Sequence, residues 1–145
     1  MQILVDADAC PVKEQIVAAA KRYAVPVTMF VDTSHILRGD FQVVTVDRAR
    51  DSADIALANA VRPGDIVVSQ DYGVAAMALA KGACALNQNG LIYTDENIDS
   101  LLAERHFSAR ARAAGRRAGG PPKRTARQDR LFAEALERLL QNKTD

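Results

Sequence analysis

The chain has 145 residues, 48% of them apolar, and a formal net charge of +1, which suits one domain with a packed core and points to no partner by charge alone. No apolar run approaches the roughly 20 residues of a membrane-spanning helix, and Asp6 and Asp8 interrupt the N-terminus where a secretory signal would be apolar. Two cysteines, Cys10 and Cys84, give neither a zinc spacing nor a disulfide framework, so a reducing, cytoplasmic setting is expected.

Ile3 to Val5 is a short apolar run ending in Asp-Ala-Asp, which predicts a buried strand. Pro11 suits the first turn of a helix, where a missing N–H costs nothing. Val12, Ile16, Val17, Ala20 and Tyr23 continue that helix at apolar spacing, with Lys13, Glu14, Lys21 and Arg22 on its other side. Strands are expected at about Val27 to Val31 and Gln42 to Val46. Asp51 and Ser52 are helix-start residues, and the helix they begin runs to about Val61. Arg62-Pro63-Gly64-Asp65 reads as a turn before a fourth strand, Ile66 to Ser69. A helix of small residues from Tyr72 to Lys81 is closed by Gly82, and Ala83 to Leu86 is a fifth strand. Thr94-Asp95-Glu96-Asn97 starts a helix running towards Arg112, Gly115 to Arg127 reads as a loop, and Asp129 to Leu140 is an amphipathic helix. The apolar face of that last helix collects Leu131, Phe132, Ala135, Leu136, Leu139 and Leu140.

Strands alternating with helices predict an α/β fold, three layers deep, with a mainly parallel sheet between helices and the C-terminal helices added to it. In such sheets ligands bind beyond the carboxyl ends of the strands. Those ends read Asp6-Ala7-Asp8 after the first strand and Ser69-Gln70-Asp71 after the fourth. Each acid has an ordinary explanation: Asp8 or Asp71 as a helix N-cap, Asp6 as an exposed residue, Asp54 as a first-turn acid favoured by the helix dipole. Asp54 also shares a stripe with Leu57, Ala58 and Val61, where a charge is unexpected. Carboxylates gathered at one sheet edge repel each other and call for a counter-charge. Hard oxygen donors suit Mg²⁺ or Mn²⁺, ions that retain waters and can act on a phosphodiester.

The opening Met1-Gln-Ile-Leu-Val-Asp-Ala-Asp-Ala-Cys-Pro-Val-Lys13 closely resembles that of the YaiI/YqxD family of bacterial proteins. So do Asp51 to Leu57, Asp65 to Gly73 and the Gly-Pro-Pro-Lys-Arg-Thr tract at Gly120 to Thr125. More distantly, the pattern is similar to PIN-like and NYN nuclease domains. These carry an aspartate after strand one, an acid on the helix before strand four, and an aspartate after strand four. Asp6, Asp54 and Asp71 fall on those positions, with Asp8 in addition. The resemblance implies a PIN-like domain over residues 1–145 with strand order 3-2-1-4-5, and a metal-site hypothesis without a substrate. Asp95 is a candidate for a fourth acid, and equally, with Glu96 and Asp99, a first-turn acid.

The even charge balance conceals a split. Arg105 to Arg130 holds nine basic residues and one acid, a charge of +8, and the remainder carries −7. This predicts an acidic body with a basic limb, in which Arg116, Arg117, Lys123, Arg124 and Arg127 would meet nucleic-acid phosphates. No aromatic platform accompanies these residues, so backbone contact is expected rather than base reading, with RNA ahead of DNA. His35, His106 and Gly73 are lesser candidates. Cys10 and Cys84 read as small buried residues.

The leading expectation is a divalent-metal-dependent nuclease or phosphodiesterase, with Asp6 and Asp71 catalytic and Asp6, Asp8, Asp54 and Asp71 holding the metal. A phosphatase of the haloacid dehalogenase type is the second reading, with Asp6 as nucleophile and Asp8 as acid/base, although Cys10 stands where that motif has threonine. The third is a non-catalytic nucleic-acid-binding protein of the same fold.

Overall fold

A computed structural model describes residues 1–8, 10–32, 37–47, 52–113 and 123–144, with side chains for all of these but 105–113, 143 and 144. In chain order the elements are β1 (Ile3–Asp6), α1 (Lys13–Tyr23), β2 (Val27–Asp32), β3 (Gln42–Val46), α2 (Ala53–Ala60), β4 (Ile66–Val68), α3 (Tyr72–Ala80), β5 (Cys84–Leu86), α4 (Asp95–Ala113) and α5 (Ala126–Thr144). No described helix is long and apolar enough to cross a membrane.

The five strands form one parallel sheet in the expected order, β3-β2-β1-β4-β5. β1 is central: Ile3 pairs with Val27 on one side and with Ile66 on the other. The two-residue period of a strand then divides the core. Ile3, Val5, Val27, Met29, Val31, Ile66, Val68 and Leu86 face α1 and α5, where Ile16, Phe132, Leu136 and Leu140 close over them. Leu4, Phe30, Val67 and Ala85 face the opposite way, under Leu57 of α2, Ala75 and Ala78 of α3 and Ile98 of α4. Three layers result, α1/α5, sheet, α2/α3/α4.

Two expectations about α5 are corrected. It starts at Ala126, three residues before the expected Asp129, because Thr125 and Gln128 cap it reciprocally. The Thr125 amide donates to Gln128 Oε1 at 2.9 Å and the Gln128 amide to Thr125 Oγ1 at 3.3 Å. Leu131 is 42% exposed rather than part of the buried face, which Phe132, Ala135, Leu136 and Leu140 fill. An ion pair between Arg22 and Glu137 joins α1 to α5 at the surface. Asp65 is buried and ties the turn before β4 to the residue before β1, accepting from the amides of Gln2 at 3.2 Å and Arg62 at 2.9 Å.

The turn after β5 meets α5 at Gly90, which has φ +86 and an ideal Cβ position only 2.6 Å from the Leu131 carbonyl oxygen. Gly64 has φ +88 with nothing near its Cβ position. Gly64→Ala should therefore cost only the left-handed backbone penalty, about 1–2 kcal/mol. Gly90→Ala adds a clash with helix backbone and should cost distinctly more. Urea unfolding of the two variants gives the comparison, and equal losses would show that α5 can shift freely away from the turn.

Candidate functional site

β1 leaves the core through Leu4, Val5 and Asp6, and β2 through Phe30, Val31 and Asp32. Alternation places Asp6 and Asp32 on the same face as Leu4 and Phe30, the face that α2 covers, and Asp8 follows in the turn after β1. α2 begins beside them, with Ser52 as its N-cap and Asp54 in its first turn. β4 ends at Val68, and Asp71 follows as N-cap of α3. These segments enclose an open cavity of about 210 Å³ lined by Asp6, Asp8, Asp32, Ser52, Ala53, Asp54 and Asp71. The four aspartates expected from the sequence line one cavity, and Asp32, which the sequence reading passed over, joins them.

Several of these side chains are already oriented. Asp8 does not cap α1, which has Val12 at its N-cap without a side-chain bond. Its Oδ1 accepts the Asp32 amide at 3.3 Å instead. Asp71 is a cap as well as a cavity residue: Oδ1 accepts the amides of Gly73 at 2.8 Å and Val74 at 3.2 Å. Ser69 stands between two of the acids. Its hydroxyl donates to Asp6 Oδ2 at 3.2 Å, and its Oγ accepts the Asp71 amide at 3.0 Å. The Ser69 carbonyl in turn accepts the buried Tyr93 hydroxyl at 3.1 Å, and Tyr93 meets Tyr72 edge-to-face with ring centroids 5.9 Å apart.

Asp95 is exposed in the first turn of α4 and does not line the cavity. Among the basic candidates, Lys123 and Arg127 are exposed. Arg124 is engaged within the fold: Nε donates to Asp129 Oδ1 at 2.6 Å, one terminal nitrogen to Asn89 Oδ1 at 2.8 Å, and the other to the Gln88 carbonyl at 2.5 Å. Gln88 lines a narrow hollow with Asp6, Cys10, Ser69 and Gln70. Arg124 therefore pins the entry of α5 to the loop beside Asp6. Arg116, Arg117 and His35 lie outside the described residues, as does the side chain of His106.

Residues 4–142 match the family described as "Uncharacterized BCR, YaiI/YqxD family". The chain belongs to this family. It is 61% identical over 137 residues to a UPF0178 protein of Ruminiclostridium cellulolyticum, covering 94% of this chain and 90% of that one. It is 48% identical over 143 residues to a UPF0178 protein of Clostridium kluyveri, covering 98% and 94% of the two chains. No solved structure matches the chain significantly.

In this YaiI/YqxD chain the acids act on one another. The Asp6 pKa is raised, first by burial and then by the charges of Asp54, Asp8 and Asp71, against the hydrogen bond from Ser69 that lowers it. The donor set is made of carboxylate oxygens, which fits a hard divalent cation and not a soft one. In the conformation described, no group of three or more His, Cys, Asp or Glu side chains among the described residues is close enough to hold a metal ion. The cavity brings the donors to one place without assembling them around one point.

The raised pKa has a definite sign for stability. An acid that binds its proton more tightly folded than unfolded contributes most at low pH, and that contribution falls as pH rises from the unfolded pKa through the folded one. Asp6→Asn should accordingly be more stable than the parent at neutral pH, with the advantage disappearing at acid pH. Denaturation across that range, without added metal, measures it. A parent that is the more stable at neutral pH would show that the fold needs the Asp6 charge.

Proposed function

We propose that this protein is a divalent-metal-dependent nuclease or phosphodiesterase acting on nucleic acid, with a PIN-like arrangement of its acids. The observation that carries the reading is the convergence of five aspartates on one open cavity at the carboxyl ends of β1, β2 and β4. Asp6, Asp8, Asp54 and Asp71 are the residues that would hold Mg²⁺ or Mn²⁺, with Asp32 lining the same cavity. A bound ion of this kind supplies an activated water and charge neutralisation at a phosphodiester.

The chain's own part is positioning. Asp71 is fixed by two amides at the start of α3, so its carboxylate keeps one orientation while the cavity loads. Ser69 couples that aspartate's backbone to the Asp6 side chain across adjacent strands. Asp54 approaches from the first turn of α2, opposite Asp71 in origin. Arg127 sits in the first turn of α5, where a cation opposes the helix dipole, so helix stability does not account for its placement. Together with Lys123 and the Arg116-Arg117 pair it forms the proposed contact for backbone phosphates.

Incubation with mixed RNA and DNA oligonucleotides, with and without Mn²⁺, tests the reading. Metal-dependent cleavage is expected, and Asp6→Asn and Asp71→Asn should each remove most of it while the protein stays folded. Asn still serves as an N-cap, whereas Asp71→Ala should also cost about 1 kcal/mol of stability. The two Asn changes should be far from additive, because each disables the same unit. A protein that cleaves nothing with either metal, yet binds RNA equally well with the four aspartates changed to Asn, is a binding module and not a nuclease.

Replacing Arg116, Arg117, Lys123 and Arg127 by Ala should weaken binding across sequences. It should also flatten log affinity against log salt by about 0.7 per lost contact to a single strand. Arg124 is left in place because its loss would free the start of α5. An unchanged salt slope would make the segment a solvated limb.

A further inference from the structure

Among the described residues, one buried side-chain oxygen receives no hydrogen bond from the protein: Gln88 Oε1. A buried amide oxygen without a donor is costly, and native folds supply one in nearly every case. Gln88 reaches the narrow hollow beside Asp6. Val68 and Cys10 in the lining of that hollow belong to the α1/α5 side of the core, whereas Ala53 in the lining of the aspartate cavity belongs to the α2 side. Asp6 is common to both linings and stands between them. The nearest hydroxyl is already committed, because Ser69 donates its hydrogen to Asp6 Oδ2. Arg124 donates to the Gln88 carbonyl and not to its side chain. The hollow measures about 10 Å³. A polar site needs about 10–15 Å³ to take a single water, so there is room for one and not for two.

We propose that the hollow holds one resident water, which donates one hydrogen to Gln88 Oε1 and the other to the Asp6 carboxylate, and that Gln88 is thereby a positioning residue for Asp6. An amide oxygen and a carboxylate are both acceptors and cannot bond to each other. Water is the smallest group with a hydrogen for each. An apolar void of this size would stay dry, but a carboxylate and an amide at the wall give a water the partners it needs. A divalent cation does not suit the same space, because Mg²⁺ keeps several waters of its own and the hollow takes one. Gln88 is in turn fixed through its backbone, since Arg124 holds its carbonyl. Asp6 is then braced from behind by the loop to which the start of α5 is tied. The bridge is in place before any metal binds, so a protein that cleaves no nucleic acid leaves it untouched.

A crystal structure of the full chain, grown without divalent metal and sharp enough to define ordered waters, should show one water within hydrogen-bond reach of both Gln88 Oε1 and an Asp6 carboxylate oxygen. Gln88→Met keeps the length of the side chain and removes its oxygen. Its crystal should lack that water and show the Asp6 carboxylate turned from its orientation in the parent. In solution, oxygen-17 relaxation dispersion counts long-lived internal waters and should find one fewer in Gln88→Met. Gln88→Glu carries an acceptor at the same reach and should keep the water, which a merely space-filling role for the side chain does not predict. A parent hollow that is dry, or that holds an ion, overturns the proposal. So does an amide turned about so that Gln88 Nε2 donates directly to Asp6, or an equal count of internal waters in the parent and Gln88→Met. The parent crystal decides the matter even where Gln88→Met fails to fold.

Discussion

The buried segment Ile3–Val5 can hold its place only if its backbone N–H and C=O groups are hydrogen-bonded on both sides, and this requirement brings β2 and β4 against it. Because both neighbours are parallel to β1, each must be reached by a crossover, and every strand arrives at the same edge with the same polarity. Whatever follows the apolar part of a strand is therefore delivered to one place. β1 delivers Asp6 and Asp8, β2 delivers Asp32, and β4 delivers Ser69 and Asp71. The accumulation of charge at that edge is a consequence of topology acting on residues far apart in the chain. Its electrostatic cost appears at Asp6, the acid that burial and its neighbours push away from ionisation.

The acids do not stand in a soft environment. Ser69 ties the Asp6 side chain to the Asp71 backbone, the Tyr93 hydroxyl holds the Ser69 carbonyl, and Tyr72 packs against the Tyr93 ring. Burial and the nearby Tyr72 and Asp71 raise the Tyr93 pKa well above the usual phenol value, so this hydroxyl keeps its proton and remains a donor. The frame around the cavity is thus neutral and hydrogen-bonded, while the charges project from it. That division suits a site whose frame must hold while its carboxylates adjust.

Local pattern sufficed for the strands themselves and for the positions of Asp6, Asp8, Asp54 and Asp71, because strand ends and helix starts are marked by runs of a few residues; the order of the strands in the sheet came from the family resemblance alone. Asp32 was legible too: Val27 to Val31 alternates onto Asp32 as Ile3 to Val5 alternates onto Asp6, and the reading stopped one residue early. The earlier start of α5 was also present, in the Thr125-x-x-Gln128 spacing. Leu131 fell outside the buried face because the contact is narrower than the apolar stripe. Other features had no local signal. Ser69 bonds a residue 63 positions away, and Arg124 bonds carbonyl oxygens 35 and 36 positions away. Nothing in the run of basic residues from Arg105 to Arg130 marks Arg124 as a residue whose charge the fold consumes.

That distinction bears on the proposed contact with phosphate. An anionic backbone approaching an acidic edge is repelled unless fixed cations stand close by. Arg124, by binding Asp129, Asn89 and the Gln88 carbonyl, ties the start of α5 to the loop after β5, and Gln88 itself borders the hollow beside Asp6. The exposed Lys123 lies one residue before this anchor, and the exposed Arg127 lies three after it on the first turn of α5. Both are thereby adjacent in the chain to an arginine whose own charge is spent on bonds within the fold. On the proposed reading, Lys123 and Arg127, which flank Arg124 in the chain, are the first cations to test for phosphate contact.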